Sequence, residues 1–457
     1  VAEEAEAAKG EPIPTARREF PMLAAHLAQE ATAADPSART IPLTIDRKLQ
    51  QALEKLGATR AAPLGDEVSV AILVADQQSG EILASVGSAG LFKSTADGFV
   101  DMTKAVRSPG STLKPLIYGL GFELGLAHPE SLIEDRTTAF GAYVPVNFDN
   151  FTRGTVTIHQ ALIESLNIPA VIVLDAVGTA RLVSRMKRAG ADPQLPDATL
   201  PGLAIGLGGV GVTLRDLVSI YASISRGGEP VRLHDGVGPE ADAGGAQAPV
   251  LDPIAAWYVS SILRDVPPPT NGLSGGRIAF KTGTSYGYRD AWAIGFDGKN
   301  VVGVWVGRPD GVPVPGISGI KAAAPILFEA FDRLGPTAPF APPPRGVLLA
   351  TNPELPEPLR RFRHPNDNRT ARDPAPEIAF PEDGSNLDIG ASAGDGGPLV
   401  VKVRNGAPPF TFFANGAPFE QAAFTRQGMW QPDGPGYVTV SVVDAKGRSD
   451  QVQVFLD

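Results

Sequence analysis

The chain has 457 residues, a length that suggests about three domains. Its composition of 43% hydrophobic and 20% charged residues is that of ordinary globular protein. A net charge of −10 argues against a nucleic-acid partner, which relies on Lys and Arg to neutralise phosphates, and the absence of cysteine excludes disulfides and cysteine-ligated zinc.

No run of about 18 apolar residues offers a membrane span, and no secretory leader pattern opens the chain. Residues 1–45 are polar. They begin at Val1 in an acidic, alanine-rich stretch that reads as the middle of a longer protein, as if an anchor or another domain preceded it. Phe20 to Leu23 and Leu27 either pack on a neighbouring domain or belong to a half-ordered linker. Leu49, Leu53 and Leu56 share one face of a short helix over 47–57. Glu67 to Ala75 and Glu81 to Val86 alternate around Asp76-Gln77-Gln78-Ser79-Gly80, which predicts a β-hairpin.

The next stretch is mostly helical. Leu113, Leu116, Ile117, Leu120 and Leu124 repeat at helical spacing behind Ser108-Pro109-Gly110. Further helices are expected over 156–164, 170–177, 180–189, 214–225 and 254–263, with a surface loop over 227–250. Strands return at Ile278-Ala279-Phe280, at 291–296 and at 301–306, the last two joined by a turn at Asp297-Gly298. A helix follows over about 320–334. A unit with strands at both ends and helices between predicts an α/β (α+β) layered domain, in which the strands meet in one sheet.

Prolines are dense from Pro336 to Pro376, which predicts a linker. The cluster Arg360, Arg361, Arg363 and His364 reads as a solvated face. Short strands over 399–403, 410–413, 437–443 and 452–456, with Asn405-Gly406 and Asn415-Gly416 between them, predict a small all-β sandwich. The expected division is a lead-in or pedestal segment over 1–59, a catalytic domain over 60–336, a linker over 337–375 and a sandwich module over 376–457.

Three motifs carry chemistry. S-x-x-K occurs three times, at Ser111/Lys114, Ser184/Lys187 and Ser318/Lys321. Ser184 and Lys187 lie on a polar helix with Arg181, Arg185 and Arg188 and read as solvent-exposed. Ser318 reads as an N-cap of the last helix. Ser111 stands at the first turn of a buried helix, where Lys114 can reach its hydroxyl and free N–H groups can face an oxyanion. Taken alone, those four residues fit an N-cap serine in front of a core helix better than a nucleophile. Lys281-Thr282-Gly283 ends a predicted strand, where glycine would admit a substrate backbone and Lys281 and Thr282 would meet a carboxylate; alone, it reads equally as a strand ending in a turn. Ser165-Leu166-Asn167 alone is a helix C-terminus. Only Ser111 precedes both other motifs, and the ordered set is far more specific than its members. Together they supply a serine nucleophile, a lysine and a second Ser/Asn pair able to open an amide through an acyl-serine.

Lysine as base poses an energetic problem. An ordinary pKa near 10.4 must fall by about three units, roughly 4 kcal/mol. Burial and a second cation are the available causes, so Lys114 and Lys281 are expected to face each other across one cleft. Competing signals are poor. Gly272-Leu273-Ser274-Gly275-Gly276 matches G-x-S-x-G but follows prolines instead of a strand. The histidines at 26, 128, 159, 234 and 364 show no ligand spacing, and neither metal nor cofactor is expected.

The stretches Arg107-Ser-Pro-Gly-Ser-Thr-Leu-Lys-Pro115, His128-Pro-Glu-Ser131, Asn147-Phe-Asp149, Ser165-Leu-Asn167, Lys281-Thr-Gly-Thr-Ser-Tyr-Gly-Tyr-Arg-Asp-Ala-Trp292 and Gly303-Val-Trp-Val-Gly-Arg-Pro-Asp-Gly311 resemble the penicillin-binding proteins. The likeness is to the 1C type of class A bifunctional murein synthase and covers most of 40–335. Residues 376–457 resemble that group's C-terminal module. The resemblance implies a serine-transpeptidase/β-lactamase-like domain with a mainly antiparallel sheet flanked by helices. It implies D,D-transpeptidation of peptidoglycan stem peptides, with β-lactams as covalent inhibitors. Ser111 would be the nucleophile and Lys114 its base. Ser165 would relay a proton to the leaving amine, and Asn167 would bind the substrate amide. Lys281, Thr282, Gly283, Thr284 and Ser285 would line the carboxylate end, and the backbone N–H groups of Ser111 and Thr284 would form the oxyanion hole. The implied location is the periplasmic face of a bacterial inner membrane, reached through an anchor outside these residues. The C-terminal module is expected either to bind a cell-wall protein partner, or to bind peptidoglycan, or simply to pack on the catalytic domain. No glycosyltransferase sequence is read here, so glycan polymerisation is not expected of these residues. The alternatives are a D-alanyl-D-alanine carboxypeptidase or β-lactamase on the same scaffold, and a non-catalytic sensor of β-lactams or muropeptides. Tyr286, Tyr288 and Arg289 either shape the donor cleft or pack half-buried.

Overall fold

A computed structural model describes residues 22–141, 143–195, 201–237, 248–269, 277–364, 375–388 and 397–457. The predicted hairpin forms from β1 (Ser69–Asp76) and β2 (Ile82–Val86), with Val74 and Ala75 straddling an irregularity in register. A second antiparallel pair that periodicity did not reveal, β3 (Leu132–Asp135) and β4 (Gly154–Thr157), precedes a short helix at Ile158–Ile163. Its four residues a strand are the shortest length at which alternation is readable. β5 (Ala279–Thr284), β6 (Asp290–Phe296) and β7 (Asn300–Gly307) complete a five-stranded sheet of order β2-β1-β7-β6-β5. Every pairing in it is antiparallel, and β5 is an edge strand.

Both faces of this sheet are covered. Ala71, Leu73, Trp292, Ile294 and Trp305 face a helical layer that contains the helices Lys114–Glu123, Asn167–Val177, Leu214–Ser225 and Pro253–Arg264. Val70, Ile72, Val74, Val302 and Val304 face the helices Arg47–Ala61 and Ala324–Leu334. Two covered faces explain why β6 and β7 read as continuous apolar runs. The last helix starts four residues later than the sequence suggested, behind a π turn at Gly319–Ala323. Ser318 is not a side-chain cap there: its hydroxyl is buried with no partner among the described residues.

The C-terminal module contains β8 (Glu377–Phe380), β9 (Asn386–Leu387), β10 (Leu399–Arg404), β11 (Phe410–Ala414), β12 (Ala417–Ala423), β13 (Gln427–Trp430), β14 (Gly436–Val443) and β15 (Ser449–Leu456). They form sheets of order β13-β10-β8 and β12-β11-β14-β15-β9. The two share a core of Val401, Phe410, Phe412, Val440 and Leu456. Asn415-Gly416 is the predicted hairpin turn, both residues at positive φ, whereas Asn405-Gly406 carries the chain from one sheet to the other. Arg360, Arg361 and Arg363 of the basic cluster are exposed, as expected of a solvated face. Arg361 also pairs with Glu134 at 2.5 Å and bridges Leu132 at the start of β3, and His364 Nε2 lies 3.3 Å from Asp175.

Candidate active site

The turn that carries Ser111 is a 3₁₀ segment, Gly110–Leu113, running straight into the helix at Lys114. Residues three apart eclipse in a 3₁₀ turn, so Ser111 and Lys114 share a side. Neighbouring elements hold the turn in place. Trp292 Nε1 donates to Ser108 O at 2.8 Å, Tyr221 Oη donates to Thr112 O at 2.7 Å, and Ser108 Oγ donates to Gly208 O at 2.8 Å. Arg107 pairs with Asp290 at 3.0 Å, and Trp305 Nε1 donates to the same carboxylate.

Strand β5 lies against this turn. A Cβ at Gly283 would stand 2.5 Å from Pro109 O and 2.7 Å from Thr112 Cγ2. The approach of the Ser111 turn is therefore one physical reason for glycine at this position. A Cβ at Gly110, where φ is 54°, would meet Thr284 O at 2.5 Å. The backbones of Ser111 and Thr284 are thus brought side by side, with both residues half-exposed.

Ser165-Leu166-Asn167 does not simply close a helix. It is the junction between the helices Ile158–Ile163 and Asn167–Val177, and Ser165 takes φ of 59°, a left-handed conformation costly for a non-glycine residue. That junction aims three acceptors at the lysines. Lys114 Nζ donates to Ser165 O and Asn167 Oδ1, both at 2.6 Å, and lies 3.4 Å from Ser165 Oγ. Lys281 Nζ donates to Ser165 Oγ at 2.7 Å and to Thr282 O at 2.9 Å. Lys114 and Lys281 are 0% and 3% exposed. Burial, then the neighbouring Lys281 ammonium, push the Lys114 amine well below its ordinary range, against an opposing pull from Asp135. Burial alone brings Lys281 down to about 7. A neutral Lys114 amine has two N–H groups, and the two 2.6 Å bonds use both, leaving its lone pair free to take a proton.

Not every expected residue converges in the same way. Thr282 is half-exposed, and Thr284 Oγ1 accepts from Gly319 N at 3.1 Å. Ser285 is buried, with its hydroxyl donating to Asp290 Oδ2 at 2.8 Å, so it holds the β5–β6 turn and presents nothing to a groove. The Ser111 hydroxyl has no hydrogen-bond partner among the described residues, while Ser184 and Lys187 are exposed. The match at Gly272–Gly276 lies outside the described residues. Tyr286 is fully exposed. Tyr288 meets Phe148 edge-on at 5.9 Å, which joins the β5–β6 turn to the loop beside Asn167. No group of His, Asp or Glu able to hold a metal is present among the described residues.

This arrangement, a serine turn, two buried lysines and a Ser/Asn junction beside an edge strand, coincides with clear similarity to known proteins. The family described as penicillin binding protein transpeptidase domain matches residues 70–327, and the Penicillin-Binding Protein C-terminus Family matches 365–454. The chain belongs to the penicillin-binding protein transpeptidase family. It is 36% identical to penicillin-binding protein 1C of Escherichia coli over 78% of this chain and 44% of that protein. To penicillin-binding protein 1B of Vibrio cholerae it is 27% identical, over 66% of this chain and 40% of that protein. The chain thus spans less than half the length of these relatives. Its fold is that of penicillin-binding protein 1A from Haemophilus influenzae, with a TM-score of 0.61 at 16% identity over 76% of this chain and 75% of that one. PonA1 from Mycobacterium tuberculosis, solved in complex with penicillin V, gives a TM-score of 0.59 at 21% identity over 67% of this chain and 89% of that one.

Proposed function

We propose that this chain is a peptidoglycan D,D-transpeptidase acting through an acyl-serine, and that β-lactams acylate it as substrate mimics. The observation that carries the reading is the pair of buried lysines whose amines both lie within 3.4 Å of Ser165 Oγ. Ser111 Oγ attacks the penultimate D-Ala carbonyl while the Lys114 lone pair takes its proton. The resulting oxyanion is met by the backbone N–H groups of Ser111 and Thr284. Cleavage of the C–N bond releases terminal D-Ala, whose amine receives a proton through Ser165. Lys281, still partly charged near neutrality, and Thr282 hold the terminal carboxylate. Asn167 supports the substrate amide. The acceptor amine then attacks the ester, forms the new amide and returns Ser111 to its hydroxyl form. The whole protein would work at the outer face of the bacterial inner membrane; among the described residues, no single helix is long and apolar enough to cross one.

The test offers a D-Ala-D-Ala-terminated donor peptide with and without an acceptor amine. A cross-linked product that appears only with the acceptor supports transpeptidation. Hydrolysis alone makes the chain a carboxypeptidase, release of opened β-lactam within seconds makes it a β-lactamase, and labelling without either product makes it a sensor.

A further inference from the structure

Asp135, at the end of β3, is 0% exposed and makes no direct ion pair among the described residues. Its two carboxylate oxygens each accept from Asn147 Nδ2 at 2.9 Å, and Oδ2 also accepts from Arg153 N at 2.7 Å. Asn147 is buried as well, and every polar atom of its amide is engaged. Nδ2 donates to Asp135 and to Phe151 O at 2.8 Å, and Oδ1 accepts from Asn167 N at 2.7 Å. Asn167 in turn donates through Nδ2 to Val146 O at 2.6 Å and accepts from Lys114 Nζ through Oδ1 at 2.6 Å. A chain of hydrogen bonds therefore runs from a buried carboxylate to the Lys114 amine. Burying a carboxylate without a paired cation is costly, so a role beyond holding the loop is sought for it.

We propose that Asp135 and Asn147 are positioning residues for acylation: the carboxylate sets the orientation of Asn147, Asn147 fixes Asn167 and so the place of Lys114, and the buried negative charge offsets Lys281. The inference rests on the reading of Lys114 as the proton acceptor. The groups facing Lys114 are Lys281 from β5 and Asp135 from β3. Those facing Asp135 are Asn147, Arg153 and Asp149 on the following loop, with Tyr118 and Lys114 from the helix packed against it. Burial and then Lys281 lower the Lys114 amine, and Asp135 opposes them.

The experiment is the pH dependence of acylation by penicillin for the wild type, Asp135→Asn and Asn147→Ala, with a thermal unfolding scan of each. Removing the Asp135 charge should move the rising limb of the rate to lower pH by about half a unit or more. Asn147→Ala should lower the plateau about tenfold or more, while the Kd of the complex that precedes acylation stays within about threefold. A limb that stays in place in Asp135→Asn overturns the electrostatic role. A plateau in Asn147→Ala within about twofold of wild type overturns the positioning role. Should Asp135→Asn fail to fold, Asn147→Ala still decides. Failure of the underlying reading has a separate signature, acylation of Lys114→Met at the wild-type rate.

Discussion

Lys114 and Lys281 sit with their amines on one hydroxyl, in a region too dry to hold two ammonium groups cheaply. Both amines are pushed down, Lys114 well below its ordinary range by burial and then by Lys281, and Lys281 to about 7 by burial, which fits the proposed role of Lys114 as the base. Lys114→Met should therefore lower the acylation rate by about 10²–10⁴-fold, as removal of a general base does, measured by the rate of penicillin labelling. The same shifts act on stability. The folded Lys281 loses its proton near 7 and the unfolded one near 10.5, so between those values the unfolded chain binds more protons and stability rises with pH. Below that window both states are protonated and the contribution is constant. Chemical denaturation from pH 7 to 10 should show this rise in wild type and a shallower one in Lys281→Met. Equal slopes would mean that Lys281 titrates normally.

At the scale of elements, the site is an edge strand pressed against a 3₁₀ turn, and Gly283 is the contact point. Gly283→Ala should push the Ser111 turn away from Thr284 and cost about 10²-fold in acylation, with a fall in the unfolding midpoint measured on the same sample. Much of this geometry was legible in the sequence. Ser111, Lys114, Ser165, Asn167 and Lys281 carry side-chain chemistry in a fixed order, and the strands and helices that bear them have clear periodicity. What stayed hidden has physical causes. β3 and β4 are short, and the loop between them has no repeating pattern, so nothing marked Asp135 as buried. Asn147 appeared only as part of a family-like stretch, because its role depends on a neighbour twenty residues away, Asn167. Ser285 reads as part of the Lys-Thr-Gly strand but turns inward, since Asp290 takes its hydroxyl. The crowding at Gly283 was hidden because the turn that causes it comes from a segment far off in the chain.

Across the whole molecule, the C-terminal module leans on the β3–β4 hairpin. Arg136 pairs with Asp450 at 2.9 Å, Thr137 Oγ1 donates to Gln451 at 2.9 Å, and Asp450 also accepts from Ile378 N at 2.8 Å. Asp450→Ala should destabilise the module by about 1–3 kcal/mol, by leaving the buried Ile378 N–H unpaired. Calorimetry reads that loss. Acylation should stay within about threefold of wild type, because Asp135 is held by Asn147 and Arg153 without help from the module. The site therefore depends on convergence within the larger unit, where stretches separated by more than a hundred residues meet around one hydroxyl. Intact mass after exposure to penicillin tests that convergence most directly. Native protein, Ser184→Ala and Ser318→Ala should each gain a single adduct, and Ser111→Ala should gain none; an undiminished adduct on Ser111→Ala would contradict the account.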